Sequence, residues 1–346
     1  MRTLSLYSGA GGLDLGFERA GAHIVTACER DSHAAATLQA AFPKTIIHRD
    51  VINLVPTLRE GDYGLIIGGP PCQGWSVAGK MQLDDPRSKH VWVFLEAVER
   101  VRPKIFVMEN VDAIAVLGKW KKAREDILNR VSDLGYATYM TVLNANDFGV
   151  PQNRKRMFLF GILGTSNETV QVRLSMLLDA QRRPGGTVRE VLTTLGAAGS
   201  QGNPITSNAI ITYARRPIMR STAYAGNLFN GAGRPLKLDA PAPTIAASAG
   251  GNKTHIVDEM EINGEPSFAK EYHAWLKQDG EIRVGIAPGR LRRLTIAESA
   301  AFQGFPADYP WQGPRSSVYR QIGNAVPVGL GEVVGRVTRV MHLLPV

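Results

Sequence analysis

Over the first 160 or so residues, short apolar runs alternate with longer amphipathic stretches. Leu4-Ser5-Leu6-Tyr7, residues 24–28, Ile46-Ile47-His48, Leu65-Ile66-Ile67 and residues 105–108 each end in Gly, Pro or acidic residues, as strands do. Between them, residues 13–20, 32–42, 91–100 and 119–134 repeat apolar positions at helical spacing, and strands near 136–143 and 156–162 close the series. Strands alternating with amphipathic helices predict an α/β fold with a parallel, doubly wound sheet. In such sheets ligands bind beyond the carboxyl ends of the strands.

The texture changes near residue 164. Residues 184–256 are rich in Gly, Pro, Ser, Thr, Asn and Ala and lack a long helical period, which predicts a second, loop-rich domain. A helical run at 295–303 and a closing segment at 318–341 return to the earlier style and are expected to pack back on the first domain. The expected division is 1–163, 164–290 and 291–346.

Composition narrows the class. With 346 residues, 44% hydrophobic and 21% charged, the chain is that of a globular protein. No apolar run nears the roughly 18 residues needed to span a bilayer, and the Gly-rich start does not read as a signal peptide. Two cysteines, Cys28 and Cys72, give neither a disulfide framework nor a zinc cluster, so a reducing cytoplasmic setting is expected. The net charge of +9 is uneven: residues 1–79 hold 6 basic against 7 acidic side chains, and the basic surplus lies wholly in later segments. That distribution suits a neutral ligand-binding start and a polyanion-binding surface built further on, although many basic proteins bind nothing special.

The chemistry-bearing residues fall at the expected strand ends. Ser8-Gly9-Ala10-Gly11-Gly12 lies at a strand-to-helix turn, where glycines let a ligand approach the backbone. Its spacing is neither G-x-G-x-x-G nor a phosphate-binding Gly-Lys-Ser/Thr. Glu29 and Asp50 follow the second and third strands, placed to meet a ribose and an adenine amino group; as surface carboxylates beside a structural turn they need mean nothing. Cys72, in Gly-Gly-Pro-Pro-Cys-Gln-Gly-Trp-Ser, sits in a stiff, Gly-rich strand-end loop that suits a nucleophilic thiolate better than inert packing. Glu109 ends the fifth strand, where a carboxyl can bond a ring nitrogen and an exocyclic amine together or simply cap a turn. Arg154 and Arg156, two apart in Gln-Asn-Arg-Lys-Arg, are expected to share one strand face, turned either to an oxygen-rich ligand or to solvent.

Taken in order, the runs at 7–17 and 68–76, Glu-Asn-Val at 109–111, Gln-Asn-Arg-Lys-Arg at 152–156, Arg-Leu-Thr with Gln-Gly-Phe-Pro at 303–306, and Gln-Ile-Gly-Asn-Ala-Val-Pro at 321–327 resemble the DNA (cytosine-5)-methyltransferases of bacterial and phage modification systems. The resemblance covers about residues 4–340 and implies a Rossmann-like, S-adenosylmethionine-dependent methyltransferase sheet with a smaller, irregular target-recognition domain. It implies that Tyr7, Gly9, Gly11, Gly12, Glu29, Asp50, Pro70 and Asn324 surround S-adenosylmethionine, leaving S-adenosylhomocysteine as product, with no metal. Tyr7 stands where the family often has Phe, a change expected to matter little. Cys72 would add to carbon 6 of a cytosine flipped out of duplex DNA. Glu109 would hold its ring nitrogen and amine, and Arg154 and Arg156 would steady the base oxygen and backbone. Lys80, Arg87 and Lys89 would belong to a loop closing over DNA, and Thr244, with Ile245, would lie near the flipped base. Arg215 and Arg216 are candidates for phosphate or guanine contact, or a solvated patch. The implied partners are double-stranded DNA and a separately acting restriction endonuclease, for a monomeric enzyme.

The alternatives are an RNA cytosine-5 methyltransferase, an inactive DNA-binding relative and a Rossmann oxidoreductase. Against them stand the long region after 164, the presence of Cys72, Glu109 and the glycines, and the absence of G-x-G-x-x-G.

Overall fold

The computed structural model describes residues 1–71 and 89–344. Contacts divide the chain into two compact units, one of Met1–Gly149, Arg154–Pro184 and Ala325–Val346, the other of Val150–Asn153 and Gly185–Asn324. The texture changes near 164 and 291 therefore mark composition, whereas packing changes after 184 and after 324.

The first unit is built on β1 (Arg2–Leu6), α1 (Gly12–Arg19), β2 (His23–Cys28), α2 (Ser32–Ala41), β3 (Ile46–His48), α3 (Val51–Leu54), β4 (Leu65–Gly68), α4 (Lys89–Val101), β5 (Ile105–Val111), α5 (Ala113–Val116), α6 (Lys121–Asp133), β6 (Tyr136–Asn144), β7 (Lys155–Leu163) and α7 (Asn167–Asp179). Its sheet has the order β3-β2-β1-β4-β5-β7-β6. The first five strands pair in parallel, but β7 runs antiparallel to both β5 and β6. The expectation of a parallel sheet holds for that five-strand part alone. The reversal follows from the connection. A hairpin-like return from β6 can only be antiparallel, whereas parallel pairing needs a crossover helix. Buried Ile66, Phe106, Met108 and Leu159 line the sheet, and Phe94, Val98 and Ile127 come from the covering helices. The absence of polar positions in β4 and the first half of β5 is what burial on both faces requires.

The second unit contains α8 (Val188–Leu195), β8 (Tyr213–Ile218), β9 (Asn227–Phe229), β10 (Ile256–Asp258), α9 (Glu259–Ile262), α10 (Phe268–Lys277), β11 (Leu291–Arg293), α11 (Ile296–Phe302) and α12 (Arg315–Asn324). It has two-stranded sheets and short helices around a small core of Leu228, Phe229, Phe268, Tyr272 and Leu291. The closing segment holds two helices. α12 stops at Asn324, and Pro327 caps α13 (Val328–Leu343), because a proline cannot continue a helix but fits ahead of its first turn.

In the first unit α13 packs along α1, and glycines permit the approach. A Cβ on Gly16 would stand 2.5 Å from the Glu332 nitrogen and the Gly331 carbonyl carbon, and one on Gly335 would stand 2.8 Å from the Ala20 Cβ. No helix among the described residues is long and apolar enough to cross a membrane.

The helix–helix approach is testable. G16A meets backbone that has no rotamer to give way, and should lose about 1–3 kcal/mol of stability despite alanine's better helix propensity. G118A, where a Cβ meets nothing within 4 Å, should stay within about 0.5 kcal/mol of the parent. Chemical denaturation of both, with equal losses, would show that the close approach is not what Gly16 provides.

Candidate active site

The site of the first unit is assembled from the carboxyl ends of its parallel strands. After β1 the chain turns through Tyr7, at φ 59, and Gly9, at φ 57, conformations that suit glycine and strain a tyrosine. Gly11, at φ 85, caps α1. The Gly9 amide donates to Glu29 Oε2 at 2.8 Å and the Asp31 amide to Oε1 at 2.7 Å, so one carboxylate holds both the glycine turn and the end of β2. Burial pushes the Glu29 carboxyl above its ordinary range, against the pull of those amides. Arg49 donates through Nε to the Glu29 carbonyl at 2.9 Å and also bonds the Arg30 carbonyl, fastening the end of β3 to that of β2. Asp50 caps α3, accepting from the Ile52 amide at 2.9 Å and from Asn53 Nδ2 at 3.1 Å, and it remains exposed. A Cβ built on Gly9 would meet nothing within 4 Å, so the turn has open space beside it.

Tyr7 has a partner that its place in the sequence does not suggest. Its hydroxyl lies 3.1 Å from His90 Nδ1 and 3.2 Å from the His90 carbonyl oxygen, and the two rings meet edge-on at 5.4 Å. The hydroxyl can donate to the carbonyl while Nδ1–H donates to it, a reciprocal pair that phenylalanine could not make. The hydroxyl that distinguishes Tyr7 from the Phe of the family thus has partners of its own in His90. Lys89 is exposed at the first position of α4, next to His90.

Two strands over, Glu109 is 9% exposed and lies within β5. Its Oε1 is 2.9 Å from Arg156 Nε on β7, where the antiparallel register sets Val111 opposite Arg156. Burial pushes the Glu109 carboxyl up; Arg156 and then Arg154 pull it back only in part. Arg154 is 1% exposed but precedes β7, so the two arginines do not both lie on the one strand whose face they were expected to share. Both charges nevertheless act on Glu109. A Cβ on Gly69 would stand 2.7 Å from Glu109 Oε2, so this glycine leaves the space the carboxylate occupies. Buried Asn110 donates through Nδ2 to the Pro70 carbonyl at 3.1 Å, holding the segment after β4 to β5. Glu109, Gly69 and Pro70 are thus brought together immediately ahead of residue 72. Cys72, Lys80 and Arg87 lie outside the described residues.

In the second unit, exposed Thr244 donates through Oγ1 to the Asn153 carbonyl at 2.8 Å. Arg215 and Arg216 are exposed on β8, in a different hairpin, and Asn324 is exposed at the end of α12. Sequence reasoning missed Asn110, His90, Arg49 and Gln152, although Asn110 lies inside the Glu-Asn-Val run that was singled out. Among the described residues no group of three or more His, Cys, Asp or Glu could hold a metal ion.

Asp14 lies beneath the glycine turn, wholly buried in the first turn of α1. Burial pushes its carboxyl up to about 6, with the nearby Ser5 and Ser8 hydroxyls lowering it in part. A carboxyl that protonates more readily folded than unfolded stabilises the fold at low pH and loses that contribution as pH rises from 3.8 through about 6. Relative to D14N, the parent protein should therefore lose up to about 3 kcal/mol between pH 3.8 and 7. Parallel curves of unfolding free energy against pH for the two proteins would refute this assignment.

Comparison with known proteins adds to the geometry. The sequence profile of the C-5 cytosine-specific DNA methylases matches residues 1–339. The chain is 30% identical to the Type II methyltransferase M.FnuDI of Fusobacterium nucleatum, across 97% of this chain and 93% of that protein. It is 32% identical to the Type II methyltransferase M.HindV of Haemophilus influenzae, across 96% and 95%. Among solved structures, the S. pombe Dnmt2 methyltransferase superposes with a TM-score of 0.66 at 19% identity, over 99% of this chain and 98% of that one, a likeness of fold.

Proposed function

The chain belongs to the C-5 cytosine-specific DNA methylases, and from that membership we propose that it methylates carbon 5 of a cytosine flipped out of duplex DNA, within a specific sequence, through a covalent adduct on Cys72. The observation that carries the site assignment is Glu109 on β5, buried against Arg156 and spaced by Gly69, beside the end of β4 from which the chain runs on towards Cys72.

The open side of the Gly9 turn, with Glu29 and Asp50 at the neighbouring strand ends, fits a nucleoside-type ligand with polar edges. Tyr7, Gly9, Gly11, Gly12, Glu29, Asp50, Pro70 and Asn324 would hold S-adenosylmethionine. When bound, this group supplies an electrophilic methyl on a sulfonium and leaves as S-adenosylhomocysteine. The Cys72 thiolate attacks carbon 6 of cytosine, breaking the 5,6 double bond and placing an electron pair on carbon 5. Glu109 gives a proton to the ring nitrogen as this happens, and its burial favours the protonated form that the step uses. Arg154 and Arg156 offset the charge that remains on Glu109 and steady the base oxygen and neighbouring backbone by donating to them. Carbon 5 then forms its bond to the methyl, loses its proton to a base, and the re-formed double bond expels Cys72 as thiolate while the ring nitrogen returns its proton to Glu109.

Lys80, Arg87 and Lys89 would contact the DNA around the flipped base, with Thr244, Arg215 and Arg216 contributing from the second unit. The basic surplus after residue 79 supports duplex DNA as the polyanion. The same reading makes the protein a cytoplasmic, monomeric bacterial or phage enzyme, free of metal, whose cognate restriction endonuclease acts separately.

Tritiated methyl groups should enter duplex DNA and not transfer RNA; label in RNA alone would overturn the substrate. On DNA carrying 5-fluorocytosine, where the carbon 5 proton cannot leave, the parent should form a stable protein–DNA adduct and C72S none. An adduct with C72S would move the nucleophile elsewhere. E109Q should slow transfer about 10²-fold, the usual worth of a positioned acid, with DNA affinity little changed.

A further inference from the structure

Gln152 and Gln303 are polar side chains with no exposed surface, in the second unit. Gln152 Nε2 donates to the Phe302 carbonyl at 3.0 Å and to Gln303 Oε1 at 3.2 Å, while its Oε1 accepts from the Ile245 amide at 3.2 Å. Gln303 Nε2 in turn donates to the Ile322 carbonyl at 2.6 Å. Backbone bonds run alongside. The Asn153 amide donates to the Ala242 carbonyl at 2.8 Å, and the Ala242 amide to the Pro151 carbonyl at 2.9 Å. The Ala246 carbonyl oxygen would be 2.2 Å from a Cβ on Gly323, so the turn after Thr244 rests directly on the backbone near the end of α12.

Two buried amides are a poor way to fill space. Each costs about 1–3 kcal/mol if its groups go unpaired, and a leucine pair would occupy such a place without that risk. What amides add is direction. A hydrogen-bonded network fixes the position of a backbone that apolar contact would leave free to slide. Here the fixed backbone is that of residues 242–246, whose one outward hydroxyl, on Thr244, is itself tied to the residue after Gln152.

We propose that Gln152 is a positioning residue for target recognition: its amide sets the 242–246 turn, and so Thr244, against the fixed end of α12 through Gln303. This rests on the reading that Thr244 lies at the target base. Gln152 touches neither DNA nor cofactor in this account; it acts through the turn.

The test compares Q152L, Q152E and T244A in the full chain. It measures tritiated methyl transfer to unmethylated, mixed-sequence duplex DNA, S-adenosylhomocysteine affinity by calorimetry, and thermal unfolding. Q152L should lower kcat/KM for DNA about tenfold, chiefly through KM, with S-adenosylhomocysteine affinity within about twofold of the parent. Q152E, whose carboxyl when protonated can donate to the Phe302 carbonyl and still accept from the Ile245 amide, should recover part of that loss as the assay pH is lowered, a rescue that a space-filling role would not give. A folded Q152L with the parent's KM for DNA, beside an impaired T244A, overturns the role of Gln152 alone. A T244A that methylates as the parent does overturns the reading of Thr244 and the inference with it. If Q152L does not fold, Q152E decides: a KM for DNA as high as that of T244A, or higher, counts against the proposal.

Discussion

An ionised carboxylate inside a sheet core is costly unless a cation stands beside it, and the pairing of Glu109 with Arg156 is the contact around which the first unit makes sense. Burial raises the proton affinity of Glu109, and the guanidinium keeps the charged form from being prohibitive. The cation arrives because β7 inserts antiparallel between β5 and β6, carrying Arg156 to the level of Val111. A parallel strand in that place would have brought its far end there. Gly69 completes the arrangement by omission, since any side chain would press on the carboxylate.

The elements up to residue 163 were largely legible, because a doubly wound sheet writes its strands as unbroken apolar runs and its helices as amphipathic periods. The strand ends, and so Glu29, Asp50 and Glu109, followed from the same pattern. Strand direction did not. Periodicity is blind to it, and Lys155–Leu163 has the same alternation whichever way it runs. α7 and α10 were hidden for another reason. They flank the stretch whose Gly and Pro content reads as loop, α7 before it and α10 after it. The break between α12 and α13 at Pro327 lies inside the closing segment read as 318–341, whose apolar pattern runs on either side of it.

Residues joined over long separations were beyond such reading. Tyr7 and His90 are 83 positions apart, and nothing in either neighbourhood announces that a phenol and an imidazole will meet. Gln152, in a run of amides and cations, looks like surface, yet it is as buried as any leucine. Polar residues at such places become visible only when the chain segments they connect are already in position. The family motifs mark where these residues are without saying what each one holds.

The contact between α1 and α13 bears on how the protein comes into being. The face of α1 that carries Leu13, Gly16 and Phe17 leaves the ribosome some three hundred residues before its cover, Val328–Leu343. Until then the glycine turn at the head of α1 is carried on a helix with one apolar side open to water. Nascent chains must keep that surface from other partners throughout elongation. The glycine turn at the end of β1 is thus made long before the helix that secures it.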